Sequence, residues 1–183
     1  MSNTNTNSLQ VRRLTYAALC LALALLLPFL TGQNQQLGSM LCLMHIPVLL
    51  CGFLCGWPWG LAVGVIAPLL RSVIFGMPPM PTVAVPMAFE LAAYGALAGF
   101  LYKKFPRTIP GIYASLVIAM IGGRVVWGIA KLIMARITGT EFIYFASVAQ
   151  AFVTALPGIG LQLILIPAAV YALEKAGLNL NKD

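Results

Sequence analysis

Six apolar runs, at 14–30, 41–54, 58–75, 83–102, 109–137 and 145–173, take up most of the 183 residues and leave little polar sequence between them. A helix of about 20 apolar residues crosses the ~30 Å hydrocarbon core of a bilayer. Lipid offers no partner to backbone N–H and C=O groups, so such runs must satisfy themselves internally, as helices or a closed barrel. The runs lack the two-residue alternation of barrel strands. Only 8% of the chain is charged and 61% is hydrophobic, whereas a soluble domain carries roughly 25% charged residues. The expected fold class is therefore an all-α integral membrane protein of six transmembrane helices. One membrane domain, 13–175, is expected between a disordered N-terminal tail, 1–12, and a C-terminal tail, 176–183.

The breaks between runs carry their own signals. Thr31-Gly32 and the polar stretch Gln33-Asn34-Gln35-Gln36 close the first run, and Gly56-Trp57-Pro58 separates the second from the third, with Pro58 suited to a first helical turn. Gly76-Met77-Pro78-Pro79-Met80-Pro81 excludes regular helix, and Gly139-Thr140-Glu141 turns the chain before a last run interrupted by Pro157 and Pro167. Arg12-Arg13 precede an apolar run without a small-residue cleavage site, so the first run is expected to remain as an anchor rather than be removed as a signal peptide.

Charge then orients the six spans. Both termini fall on one side, which receives Arg12, Arg13, Lys103, Lys104, Arg107, Lys175 and Lys182, while the other side receives Arg136 and Arg71. An excess of Lys and Arg marks cytoplasmic segments, so both termini are expected in the cytoplasm. The net charge of +7 has this topological origin and forms no stripe of the kind nucleic acid requires.

Four ionisable residues stand within or at the rim of the spans: Arg71, Glu90, Arg124 and Lys131. A charge near the bilayer centre costs at least about 2.5–3.5 kcal/mol, so it faces the protein interior or a polar cavity. On the fifth span Arg124, Gly128 and Lys131 share a stripe beside Trp127, and on the fourth Glu90 and Tyr94 are four residues apart on one face. Counting from the proposed topology puts all four charges in the outer half, on three helices. Three cations and one anion in one place favour an anionic ligand; an internal Arg/Lys–Glu lock holding helices together is the other reading. His45 near the outer end of the second span either joins that cavity or caps a helix start. The loops 33–39, with Asn34, and 76–82 are candidate lids on the same side.

Small residues recur at helical spacing. Gly52, Gly56, Gly60 and Gly64 form two short faces on either side of Pro58, and Ala18 and Ala22 form another on the first span. Such faces let backbones approach closely, either within the chain or against a second membrane protein. Cys20, Cys42, Cys51 and Cys55 lie in apolar surroundings without the flanking ligands of a metal site, so they read as buried small apolar residues, and neither metal nor cofactor is expected. Nucleotide-binding, zinc-hydrolase and serine-hydrolase motifs are missing, and no enzymatic activity is expected of the chain itself.

The runs His45-Ile46-Pro47-Val48-Leu49-Leu50, 52–64, Ala67-Pro68-Leu69-Leu70, Gly76-Met77-Pro78-Pro79 and Ala88-Phe89-Glu90-Leu91-Ala92-Ala93-Tyr94-Gly95 resemble the substrate-binding S-components of energy-coupling factor (ECF) transporters, over about 14–173. The resemblance implies six helices, cytoplasmic termini and a loop-covered pocket on the outer side of a bacterial plasma membrane. It also implies partners: a transmembrane coupling protein and two cytoplasmic ATPases, with the loaded subunit toppling in the bilayer to release a vitamin or related micronutrient inside. The alanine motif of the family's first helix, which contacts the coupling protein, maps to Ala18 and Ala22. His45, Arg71, Glu90, Tyr94, Arg124, Trp127, Lys131 and Asn34 are then the candidate substrate-binding residues. The cation surplus leans toward a carboxylate, pantothenate first, with pyridoxine-like, pyrimidine, cobalamin-type and queuosine-precursor ligands open. A standalone six-helix carrier, or a membrane scaffold without transport, is the alternative.

Overall fold

Helix α1, Asn3–Leu26, opens the computed structural model of the chain, which describes residues 3–32, 35–139 and 144–181. No Gly or Pro interrupts 3–26, so the polar segment expected to be disordered is instead the first turns of this helix. Pro28 has no N–H to give the α-ladder, and the chain tightens into a 3-10 turn, Leu27–Thr31, ended by Gly32 at φ 60°.

The second crossing is broken. Helix α2, Gln35–Leu41, begins within the polar stretch expected to be a loop; α3 covers His45–Cys55, and between them Cys42 takes a left-handed φ of 48°. The 11 residues of α3 span about 16 Å at helical rise and do not cross a bilayer alone. Together α2 and α3 make one interrupted span. Gly56, at φ 95°, then reverses the chain directly into α4, Trp57–Phe75.

The remaining spans follow the sequence expectation closely: α5 is Ala84–Lys104, α6 Ile109–Thr138 and α7 Tyr144–Lys175. Five stretches (7–31, α4, α5, α6 and 153–175) are long and apolar enough to cross a membrane, and α3 is a shorter apolar helix. Among the described residues the fold is all-helical.

Helix α5 packs against α3, α4 and α6, whereas α7 lies on α2, α6 and α3, and α1 on α3 and α4. Glycine makes the α3–α4–α5 junction possible. A Cβ on Gly60 would sit 2.5 Å from the Gly95 carbonyl oxygen and 2.7 Å from the Gly52 Cα, and one on Gly64 would strike the Leu91 carbonyl. The small faces built on Gly52, Gly60 and Gly64 are therefore used within the chain. Cys20, Cys51 and Cys55 are buried free thiols packed between α1 and α3.

After α7 the chain folds back as a strap. Leu180 N–H donates to the Leu54 carbonyl at 2.9 Å and Asn181 Nδ2 to the Gly99 carbonyl at 3.1 Å. Arg13 Nη2 donates to the Leu180 carbonyl at 2.7 Å and Arg107 Nη2 to the Asn181 carbonyl at 2.9 Å. The tail expected to leave the domain at 176 thus closes one end of the bundle, with Asn179, Leu180 and Asn181 buried. That end gathers Arg13 of α1, the last turn of α5 with Lys103 and Lys104, and Arg107 of the α5–α6 connection.

Candidate functional site

The break at Cys42 sets the chemistry of the other half of the bundle. Met40 and Leu41 present carbonyls to α7, where Gly158 admits them: a Cβ there would lie 2.7–2.8 Å from both oxygens. One turn on, Gln162 Nε2 donates to the Cys42 carbonyl at 3.5 Å, and Arg124 Nη2 reaches the Cys42 Sγ at 4.0 Å. Helix α3 restarts at His45, whose ring is buried against Tyr94 of α5, with ring centroids 5.3 Å apart. Gly123 of α6 leaves the space that the Tyr94 ring fills.

Glu90 is the anionic centre. Its carboxylate is 2% exposed as a residue, pairs with Arg124 Nη1 at 3.0 Å and accepts the Tyr94 hydroxyl proton at 3.0 Å, both on Oε1. His45 Nε2 stands 3.8 Å from Oε2, beyond hydrogen-bond distance. Arg124 also lies over Trp127, 5.9 Å from its centroid. Measured along each helix, Glu90 is about 21 Å from Lys104, Arg124 about 22 Å from Ile109 and Gln162 about 20 Å from Lys175. All three therefore meet at one level, in the half of the membrane away from the strap.

There the helices form a partly open, largely apolar cavity of about 170 Å³, lined by Val117, Met120, Ile121, Ile159 and Leu163 and bordered by His45, Tyr94, Arg124 and Gln162. Both ring nitrogens of His45 and the Oε1 of Gln162 are buried with no hydrogen-bond partner among the described residues. Unpaired buried polar atoms are rare and costly, and these lie in residues that border the cavity. Gln162 was not anticipated from sequence; the signal for it was an amide placed between Leu161 and Leu163 in an otherwise apolar run.

Two of the expected cations are elsewhere. Arg71 of α4 is buried beside α1, where Nη1 donates to the Leu25 carbonyl at 2.7 Å and the guanidinium sits between Phe29 and Phe75, 5.0 and 5.4 Å from their centroids. The α-ladder breaks at Pro28, and Arg71 supplies a donor to the Leu25 carbonyl in the last turn of α1. Lys131 Nζ donates to the Thr82 carbonyl at 2.9 Å in an exposed contact that ties α6 to the loop before α5. Neither residue lines the cavity, and Trp127 stands beside Arg124 without lining it. Asn34 lies outside the described residues. The expected cluster of four charges is thus a pair, Glu90 and Arg124, and the cation surplus is not assembled in the pocket.

No group of three His, Cys, Asp or Glu side chains among the described residues could hold a metal ion. The fold defines a multi-pass membrane protein with a partly open cavity between its helices. Its sequence matches the family described as ECF transporter, substrate-specific component, over residues 12–172, and the chain belongs to that family. It is a substrate-binding subunit of an ECF transporter, a class of non-catalytic component. Comparison with curated proteins and with solved structures gave no match.

Proposed function

We propose that the chain captures a water-soluble vitamin or related micronutrient at the extracellular face of a bacterial plasma membrane. A partner module, comprising a transmembrane coupling protein and two ATPases, then topples the loaded subunit and releases its cargo inside. The reading is carried by the family match together with a partly open cavity bordered by His45, Tyr94, Arg124 and Gln162, on the side of the bundle away from the basic end. Positive residues favour the cytoplasm, so the basic, strapped end faces inward and the chamber outward.

Docking on the coupling protein is assigned to α1. Ala18 and Ala22 are exposed on this helix, while Ala17 and Ala24 pack inward, so the small-residue face implied by the family is open to another helix. Against a standalone proton-driven carrier stands the ion pair on Glu90, the acid that lies deep within the spans. Against an inert scaffold stands the chamber itself. With two cations outside the chamber and Arg124 paired, an anionic ligand such as pantothenate loses its electrostatic basis.

Uptake in proteoliposomes tests the proposal. Accumulation of the ligand that requires both the energising module and ATP supports it, as does its loss in Ala18→Trp and Ala22→Trp variants that still fold. Accumulation by the chain alone, or variants that transport normally, would contradict it.

A further inference from the structure

We infer that the basic, strapped end of the bundle is a binding surface for the headgroups of anionic phospholipids in the cytoplasmic leaflet. This surface lies at the opposite end from the cavity and uses residues with no part in it.

Charge gives the first argument. Among the described residues six cations stand at this end, Arg12, Arg13, Lys103, Lys104, Arg107 and Lys175, against one acid, Glu174. Glu174 is already engaged, since its Oε2 accepts the Tyr102 hydroxyl proton at 2.6 Å. None of the six cations forms an ion pair among the described residues, and all but Arg13 are exposed. The end therefore presents positive charge that the chain itself does not offset.

The strap adds order to that charge. Arg13 of α1 and Arg107 of the α5–α6 connection each donate Nη2 to one of two consecutive carbonyls, those of Leu180 and Asn181, at 2.7 and 2.9 Å. A carbonyl accepts a hydrogen bond without cancelling the charge of the guanidinium. The contacts thus hold cations from two distant parts of the chain in one patch instead of neutralising them.

Depth identifies the occupant. Exposed apolar side chains lie within about one helical turn of the charges: Leu14 beside Arg12 and Arg13, Phe100 before Lys104, Ile109 after Arg107 and Tyr171 before Lys175. Lys104 Nζ sits 4.7 Å from the Phe100 ring centroid, so the ammonium marks the boundary between the apolar belt and the polar end. Lys104 is also about 30 Å from Ala84 along α5, the thickness of a hydrocarbon core. Cations at that level meet lipid phosphates, whereas a soluble acidic protein approaches from the bulk solution beyond them. Arginine forks and lysine ammonium groups both suit a phosphodiester, and each such residue near an anionic membrane surface adds about fivefold in affinity.

Native mass spectrometry of the delipidated full chain in a neutral detergent tests the inference. The protein is given equal amounts of phosphatidylglycerol and phosphatidylethanolamine with identical acyl chains. Orientation has no meaning in a micelle, so basic residues that serve topology alone would bind the two lipids alike. The inference predicts at least about tenfold more phosphatidylglycerol bound, and a fall in that preference of at least about fivefold in the triple variant Lys103→Gln, Lys104→Gln and Lys175→Gln. Arg136→Gln, at the other end of α6, should leave the preference within about twofold. Raising ammonium acetate from about 50 to about 500 mM should also shrink it, and this arm decides where the triple variant fails to fold. Equal binding of the two lipids overturns the inference and leaves the charges to topology or to an acidic protein. A preference that survives the triple variant or the salt, or that falls equally in Arg136→Gln, overturns it as well. Displacement of the lipid by excess glycerol phosphate would mark a site for soluble phosphates and overturn the lipid assignment.

Discussion

Glu90 of α5 and Arg124 of α6 form a direct ion pair, 3.0 Å from Oε1 to Nη1, inside the helix bundle and at the edge of the cavity. The pair couples two structural roles, holding α5 to α6 and cancelling the charge that the chamber would otherwise present. Removing one member leaves the other buried without its counter-charge, which typically costs about 3–5 kcal/mol. Glu90→Gln is therefore expected to lower stability by an amount in that range, measured by denaturant unfolding in mixed micelles. The double variant Glu90→Gln with Arg124→Gln should recover at least about half of the loss. Additive losses would show that the pair contributes nothing as a pair.

Gly60 and Gly160 respond oppositely to one methyl group. A Cβ at Gly60 meets the Gly95 carbonyl and the Gly52 Cα, whereas one at Gly160 meets nothing within 4 Å. Gly60→Ala should destabilise by about 1–3 kcal/mol or more through overpacking. Gly160→Ala should be neutral, or stabilise by up to about 1 kcal/mol through helix propensity. Thermal unfolding of the two variants side by side checks both signs.

Arg71 braces α1 against α4 and lies away from the cavity. It gives the Leu25 carbonyl its hydrogen bond and stacks between Phe29 and Phe75. Arg71→Gln should cost about 2 kcal/mol of stability, the scale of a lost charged hydrogen bond, and leave ligand affinity within about twofold. Arg124→Gln should weaken binding directly. Titration calorimetry on both variants distinguishes the roles.

Much of this fold was legible in the sequence because the bilayer imposes a length and a polarity that six apolar runs satisfy. The limits of α4, α5 and α6 follow Gly76, the Lys103–Pro106 break and Gly139 to within a residue or two. The Glu90–Tyr94 pairing followed from four-residue spacing on one helix. What escaped was set by tertiary geometry. Arg71 and Arg124 lie at similar depth, and only the rotation of α4 against α1 decides that Arg71 turns away from the chamber. Cys42 carries no signature of the left-handed backbone it adopts, so the broken second span and the acceptor it gives Gln162 were invisible. The strap was hidden for a similar reason: nothing in 176–181 states that Leu180 finds Leu54 and Asn181 finds Gly99.

That strap yields a further expectation. Four of its hydrogen bonds, to or from Leu54, Gly99, Arg13 and Arg107, join α1, α3, α5 and the α5–α6 connection. At about 1 kcal/mol each, deletion from residue 178 onward should remove about 2–4 kcal/mol. The chamber lies about 20 Å away along the helices, so ligand affinity should persist. Unfolding and binding measured on one truncated preparation test both halves of the expectation.

The central claim is that the chamber cornered by His45, Tyr94, Arg124 and Gln162 is where this ECF subunit holds its substrate. Native mass spectrometry of the protein released intact from its membrane tests it most directly. A small-molecule adduct is expected on the wild type and on Arg71→Gln, and its loss is expected in Gln162→Met and in Val117→Phe, which fills the chamber. An adduct that survives both chamber variants unchanged would place the substrate elsewhere and contradict the account.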